Sequence, residues 1–151
     1  MPSVGIFLRL LLAAGLGAAI GLEREYRKKP AGLRTNILIA LGSALFTITS
    51  IQLAEIGGTP DRIAAGIVTG MGFLGGGAIL RSGTHVQGMT TAATIWVNAA
   101  IGMAAGTGQY ALATMATAMT LVVLAVLPPI EAYFETHSDP TDPHDRAPRE
   151  M

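Results

Sequence analysis

Uncharged stretches long enough to cross a lipid bilayer alternate with short charged segments along this chain. Residues 35–54 and 63–80 contain no Asp, Glu, Lys or Arg, and neither do the 49 residues from 82 to 130. A transmembrane helix needs about 20 mostly apolar residues. The pattern therefore predicts an all-α, polytopic membrane protein.

Five transmembrane helices account for these stretches. The run from 82 to 130 is too long for one crossing, and the glycines of Gly106-Thr107-Gly108 divide it into two. Pro128-Pro129 is expected to end the last helix, because proline lacks the N–H that a helix interior needs. The predicted spans are residues 4–22, 35–54, 63–80, 89–106 and 110–127. They form one transmembrane domain over residues 1–130, and the acidic, proline-containing tail 131–151 is expected to be disordered.

Basic residues set the predicted orientation. Segment 23–34 holds five Lys or Arg residues, whereas segment 55–62 holds only Arg62. Cytoplasmic loops carry the excess of Lys and Arg, so segment 23–34 is placed in the cytoplasm, with the N-terminus outside and the C-terminus inside. Arg81 then lies on the cytoplasmic side, and Arg9 is expected to extend its guanidinium to the outer surface.

The glycine-rich stretch GMGFLGGG in the third span matches the spacing of a dinucleotide-binding motif but lacks its sequence context. Gly70, Gly72 and Gly75 spell G-x-G-x-x-G. That motif needs a preceding strand and a carboxylate about 20 residues later. Because residues 82–130 contain no carboxylate, a dinucleotide site is excluded.

Two interpretations of these glycines remain. Small residues let membrane helices pack closely, as the pairs Gly17/Gly21 and Gly102/Gly106 also indicate, and a third span with two glycine faces is expected at the centre of the bundle. Alternatively, residues 75–77 unwind and expose carbonyl groups that bind a cation. The candidate packing or backbone-break positions are Gly66, Gly70, Gly72, Gly75, Gly76 and Gly77.

A polar stripe marks the fourth span. Gln87, Thr91, Thr94 and Asn98 recur at intervals of four, three and four residues, which places them on one helix face. Buried polar groups need partners, so the stripe is expected to face protein or water. It serves either interhelical hydrogen bonding or the lining of a path for a small solute or ion. Trp96 is expected to fill a packing gap.

The remaining candidate residues are charged and lie at the ends of the spans. The carboxylates of the first span are expected either to pair with nearby arginines or to contact a cation or partner. The aspartate is expected in the first turn of the third span, where a helix N-terminus favours an acid. These candidates are Glu23, Glu25, Arg34, Asp61, Arg62 and Arg81.

Four blocks of sequence together resemble one family. They are GLERE (21–25), KPAGLRTNILIALGSALF (29–46), DRIAAGIVTGMGFLGGGAILR (61–81) and VQGMTTAATIWVNAAIGMAAGTGQY (86–110). They resemble the N-terminal membrane domain of the MgtC/SapB family, over about residues 5–127. The family motif positions here are Glu23, Glu25, Arg34, Thr35, Asp61, Arg62, Gly72, Phe73, Gly75, Gly77, Thr90, Thr91 and Asn98.

The resemblance implies a multi-pass protein of the bacterial inner membrane, linked to growth at low magnesium. Either direct magnesium uptake or modulation of another membrane protein, such as ATP synthase, is the implied activity. A soluble ACT-like domain follows the membrane domain in MgtC, and its functions are not implied for this chain.

These observations predict a non-enzymatic protein of magnesium-linked homeostasis or a modulator of another membrane protein. The alternative is a small cation or solute channel or transporter lined by spans three and four. The expected partners are membrane lipid, a second copy in a homodimer, and another membrane protein. Zero net charge argues against nucleic acid. No cofactor is expected, and Mg²⁺ is the one ion the resemblance raises.

Overall fold

The computed structural model describes residues 3–82 and 85–137, and five α-helices and one β-hairpin make up this part of the chain. In chain order the elements are α1 (Ser3–Tyr26), α2 (Leu33–Ala54), α3 (Pro60–Gly77), β1 (Leu80–Ser82), β2 (His85–Gln87), α4 (Met89–Thr107) and α5 (Tyr110–His137). The predicted helical class is confirmed. The antiparallel hairpin, in which Arg81 faces Val86, was not predicted.

Three of the helices in the described residues are long and apolar enough to cross a membrane: α1, α2 and the Tyr110–Phe134 part of α5. Large apolar side chains such as Phe7, Phe46 and Met119 lie on the outside of the bundle. A water-soluble monomer rarely exposes wide apolar patches. The chain is therefore a membrane protein.

Helix α2 lies at the centre, held between glycines of α1 and α4. A Cβ atom added at Gly17 of α1 would lie 2.6 Å from the Asn36 carbonyl oxygen. One added at Gly106 of α4 would lie 2.8 Å from the carbonyl oxygen of Ala44. Only glycine permits backbones to approach this closely, so the pairs 17/21 and 102/106 are packing glycines as predicted.

Helix α3 is peripheral, and its predicted central position is wrong. A Cβ atom added at Gly66 or Gly70 would meet nothing within 4 Å, and the same holds at positions 72, 76 and 77. Gly75 alone in this set is buried, against Ala92 of α4. A small-residue face shows where a helix could pack, but lipid and protein are equally apolar, so sequence cannot tell which of them covers it.

The glycine cluster 75–77 forms the last turn of α3. The helix is continuous to Gly77 and ends at Ala78, whose N–H reaches the carbonyl of Gly75. The span therefore ends before residue 80, without an unwound segment inside it. The G-x-G-x-x-G glycines lie within this helix and not in a strand-to-helix turn.

The prediction that Pro128-Pro129 ends the last helix is wrong, because α5 continues to His137. Proline at 129 leaves the carbonyl of Ala125, four residues earlier, without its helical donor. Arg27, the residue that follows α1, supplies a replacement, with its Nη2 atom 3.2 Å from that oxygen. Residues 131–137 of the predicted tail are helical, and 138–151 lie outside the described residues.

Candidate functional site

Two arginines of α1 contact α4, one near each of its ends. Arg9 Nη1 donates to the carbonyl oxygen of Gly106 at 2.8 Å, and Arg24 Nη2 donates to Thr91 Oγ1 at 2.7 Å. In both pairs the residue numbers add to 115, as expected of two antiparallel helices in register. Arg9 therefore binds the free carbonyl groups at the C-terminus of α4, which is a favourable place for a cation, instead of only extending to the surface.

The polar stripe of α4 faces protein. Thr91, Thr94 and Asn98 are all buried, and Asn98 is fully so. Thr91 bonds to α1 and Asn98 to α2, while the Thr94 hydroxyl bonds within α4. The predicted polar lining between spans three and four is therefore wrong for Thr91 and Asn98. Gln87 is not part of the stripe, because it lies in β2 and is exposed.

Asn36 of α2 is the partner of the stripe. Asn98 Nδ2 donates to the Asn36 carbonyl oxygen at 2.7 Å and to Asn36 Oδ1 at 3.1 Å. Asn36 Nδ2 in turn donates to the carbonyl oxygens of Ala31 and Gly32. One amide ladder thus joins α4, α2 and the connection before α2.

Five buried side-chain polar atoms in the described residues have no hydrogen-bond partner. Three are Asn98 Oδ1, Ser43 Oγ and Arg24 Nε, whose residues are at most 3% exposed. The other two are the carboxylate oxygens of Glu23, of which Oε1 still forms the ion pair with Arg27. Most buried polar atoms in proteins are satisfied. The interface of α1, α2 and α4 therefore has spare donor and acceptor capacity.

The two carboxylates of α1 bind different groups. Glu23 Oε1 lies 2.7 Å from Nε of Arg27, four residues later and just past the end of α1. Glu25 Oε2 accepts from the N–H of Leu33 at 3.1 Å and thereby caps the N-terminus of α2, across Gly32. The pairing predicted for Glu23 is confirmed, whereas Glu25 binds backbone and not an arginine.

The other charged candidates lie apart from this ladder. Arg34 is exposed in the first turn of α2, Asp61 is exposed in the first turn of α3 as predicted, and Arg62 follows it. Arg81 lies in the β-hairpin, beyond the opposite end of α3. The structure therefore does not bring the charged candidates together into one site.

Trp96 does not fill a packing gap inside the bundle, since about half of its surface is exposed. It lines an apolar groove of about 340 Å³ on the outer face of α4. Ile67 and Met71 of α3 border one side of this groove, and Leu112 of α5 borders the other. The groove carries no carboxylate.

Within residues 3–82 and 85–137, no three His, Asp or Glu side chains are grouped closely enough to hold a metal ion. Magnesium binds oxygen ligands in octahedral geometry and keeps several of its waters. The carboxylates nearest the ladder, those of Glu23 and Glu25, already contact Arg27 and the N-terminus of α2. The described side chains therefore do not fit a preformed carboxylate site for Mg²⁺.

Residues 10–133, most of the chain, match the MgtC family. The chain belongs to this family. It is 52% identical over 126 residues to “Putative magnesium transporter YhiD” of Escherichia coli K12, a match that covers 79% of this chain and 59% of that protein. No solved structure matches the chain.

Other relatives in the MgtC family are similarly close. “Protein MgtC” of Salmonella typhimurium LT2 is 50% identical over 114 residues, covering 76% of this chain and 48% of that protein. “Uncharacterized protein slr0014” of Synechocystis is 46% identical over 126 residues, covering 83% and 53%. The matched part thus spans about half to three fifths of the length of these relatives.

Proposed function

We propose that this MgtC-family protein crosses the bacterial inner membrane five times, with the N-terminus outside and the C-terminus in the cytoplasm. Successive helices run in opposite directions. The contacts of Arg24 with Thr91 and of Arg27 with Ala125 bring the basic segment 23–34 to the same end as the start of α4 and the end of α5. Helix α3, with 18 residues, is about 27 Å long, close to the hydrocarbon thickness of about 30 Å.

Single cysteines test this orientation cleanly, because the chain contains none of its own. Lys29→Cys in the α1–α2 connection and Glu55→Cys after α2 are compared in intact cells with a membrane-impermeant thiol reagent. Labelling at position 55 and protection at position 29 is the expected result. The reverse pattern overturns the orientation, and equal labelling at both positions overturns the number of crossings.

For activity, we propose a non-enzymatic role in magnesium-linked homeostasis, carried out by binding another membrane protein. The observation that carries this proposal is that three of the candidate side chains each bind another group of the chain. Glu23 pairs with Arg27, Glu25 caps α2, and Asn98 binds Asn36. Groups that hold helices together support a rigid scaffold with its outer faces available to a partner. The magnesium link rests on the resemblance and on the name of the E. coli relative.

A magnesium transporter is the second candidate function. It is favoured by the unpartnered Asn98 Oδ1 and Ser43 Oγ atoms, since neutral oxygens can replace part of a hydration shell. Such a path would follow the interface of α1, α2 and α4. The groove between α3 and α5 is lined mainly by apolar side chains such as Ile67 and Met71, and does not suit a hydrated cation.

A flux assay separates the two functions. The full chain is reconstituted into liposomes that contain a magnesium-sensitive dye, and Mg²⁺ is added outside. The binding role predicts no flux above that of empty liposomes, together with rescue of growth at low magnesium in cells. Magnesium flux that is lost in Asn98→Leu and kept in Thr69→Val would instead establish transport. Thr69→Val is the control, because Thr69 is exposed on α3 and its hydroxyl bonds only to the Ala65 carbonyl.

We also propose that two copies associate through the exposed glycine face of α3. The open space around Gly66, Gly70 and Gly77 supports this interface, because a backbone free of side chains lets a second helix approach closely. The groove beside Trp96 adjoins that helix.

A further inference from the structure

Arg24 is a buried charge that forms no salt bridge of its own, although the carboxylate of neighbouring Glu23 attracts it. The residue is 3% exposed, and its one hydrogen bond joins Nη2 to the neutral Thr91 hydroxyl. In the described part of the chain the ion pair at this end is Arg27 with Glu23, and no carboxylate oxygen lies within 4.0 Å of the Arg24 guanidinium. Burying a charge that has no salt bridge is costly, and Glu23 is shared with Arg27, so an additional anion would stabilise Arg24.

The Arg24 guanidinium lies at the N-terminal, positive end of a long helix, because its Nη2 atom binds Thr91. Thr91 is in the first turn of α4, a helix of 19 residues. Gly88, the residue immediately before α4, has no side chain that could cap this turn. The N–H groups of Met89, Thr90 and Thr91 have no acceptor among the described residues. Free N–H groups at a helix N-terminus, together with the helix dipole, favour an anion.

The surrounding charge has the same sign. Segment 23–34 holds five basic and two acidic residues, a net charge of 5 − 2 = +3. Glu23 pairs with Arg27 through Oε1 while its buried Oε2 has no hydrogen-bond partner, and Glu25 binds the start of α2. Lys28, Lys29 and Arg34 are exposed. An anion arriving at the start of α4 would therefore meet a positive potential.

We propose that a phosphate group binds at the N-terminus of α4. Arg24 Nε, which is buried and has no partner, supplies a charged donor, and the N–H groups of the first turn supply the others. Guanidinium and helix N–H donors together match the oxygens of a phosphate. Met89 and Thr90 are exposed, so the group enters beside them. The phosphate belongs either to a phospholipid headgroup or to free inorganic phosphate.

Thermal unfolding of the purified full chain in a neutral detergent tests the proposal and distinguishes the two sources. One arm titrates inorganic phosphate against sodium chloride of equal ionic strength. The other compares dioleoyl-phosphatidylglycerol with dioleoylglycerol, which has the same acyl chains and no phosphate. A ligand that binds only the folded state multiplies the folding equilibrium by 1 + [ligand]/Kd. Stabilisation in the first arm identifies free phosphate, stabilisation in the second alone identifies a lipid headgroup, and a response in neither overturns the proposal.

A variant with its own anion provides the sharper test. Thr90→Asp places a carboxylate in the first turn of α4, and it should raise the midpoint of unfolding without phosphate and remove the response to it. Thr59→Asp is the matched control, because it adds the same acid at the N-terminus of α3, where the N-cap also makes no side-chain bond. The control should keep the full response. A full response in Thr90→Asp would overturn the site, and Arg24→Gln, if it folds, should lose the response as well.

Discussion

The guanidinium of Arg27 donates a hydrogen bond to the backbone carbonyl oxygen of Ala125, a residue 98 positions later in the chain. The acceptor is the carbonyl that proline at position 129 leaves without its helical N–H. A side chain from the α1–α2 connection thus replaces a backbone donor missing from α5. This contact satisfies the carbonyl that Pro129 leaves free, in a helix that continues to His137.

Pro129→Ala is expected to weaken the contribution of Arg27 to stability. The new N–H would bond to Ala125 and compete with the guanidinium, whose exposed hydrogen bond is worth about 1 kcal/mol at most. Arg27→Gln should therefore lower the free energy of unfolding less in the Pro129→Ala background than in the native chain. Pro128→Ala is the control. The N–H that it restores would bond to the carbonyl of Leu124, whereas Arg27 bonds to that of Ala125, so the energetic coupling between Pro128→Ala and Arg27→Gln should be near zero. Equal coupling for both prolines would contradict the replacement.

Asn98→Leu is expected to destabilise the protein by about 1–3 kcal/mol, because it leaves the buried Asn36 carbonyl and side chain without their donor. Thr94→Val should cost less. Thr94 is also buried, but its hydroxyl bonds only to the Thr90 carbonyl of its own helix. Reversible unfolding in detergent measures both values. A smaller loss for Asn98→Leu than for Thr94→Val would show that the amide ladder does not hold α2 and α4 together.

Gly106 and Gly66 both belong to pairs of glycines four residues apart, but substitution by alanine is expected to change the free energy of unfolding in opposite directions. At Gly106 the added methyl group would lie 2.8 Å from the Ala44 carbonyl oxygen, so Gly106→Ala should cost about 1–3 kcal/mol through overpacking. At Gly66 nothing lies within 4 Å, and Gly66→Ala should gain up to about 1 kcal/mol from helix propensity. The same unfolding measurement compares them. If Gly66→Ala proved as costly as Gly106→Ala, position 66 would be covered, for example by a second copy.

The proposed dimer gives a separate expectation for Gly70. Gly70→Leu leaves the single chain intact, since its surroundings are open, but should lower the dimeric fraction. Ala118→Leu, at an exposed position of α5, adds a similar bulk away from the proposed interface and should not change that fraction. Dilution in lipid vesicles with fluorescence transfer between labelled copies measures it. Unchanged transfer in Gly70→Leu would exclude this face of α3.

Arg9→Met is expected to destabilise the C-terminus of α4. The substitution keeps an apolar stem of similar length and removes a charged donor to the Gly106 carbonyl, which is worth about 1.5–3 kcal/mol. Hydrogen exchange should become faster near Gly106 and stay unchanged near Thr91, which Arg24 holds independently. Uniformly faster exchange along α4 would show that the two contacts are not separate.

Periodicity and charge were sufficient to predict the helices, the buried face of Thr91, Thr94 and Asn98, and two of the glycine pairs. These features depend on local pattern, which a sequence displays directly. The sequence around Asn36 contributed to the prediction only as part of the family resemblance. A lone asparagine in an apolar span is itself a signal of a buried polar contact. Its role as the partner of Asn98 depends on how α2 lies against α4.

The failures share a different cause. The central position given to α3, the packing role of Trp96 and the end of α5 at Pro128 each required knowledge of which neighbour covers a surface or supplies a donor. An apolar position is equally satisfied by lipid and by protein. The donor for Ala125 comes from Arg27, and no local pattern connects two residues so far apart in sequence.

The paired contacts of Arg9 and Arg24 lie 15 residues apart on α1 and meet positions 15 residues apart on α4. At 1.5 Å per residue, each helix is pinned at two points about 22 Å apart. Two such points resist both sliding and pivoting of α1 against α4. We therefore expect relative motion of the helices to involve α3 and α5 before this pair.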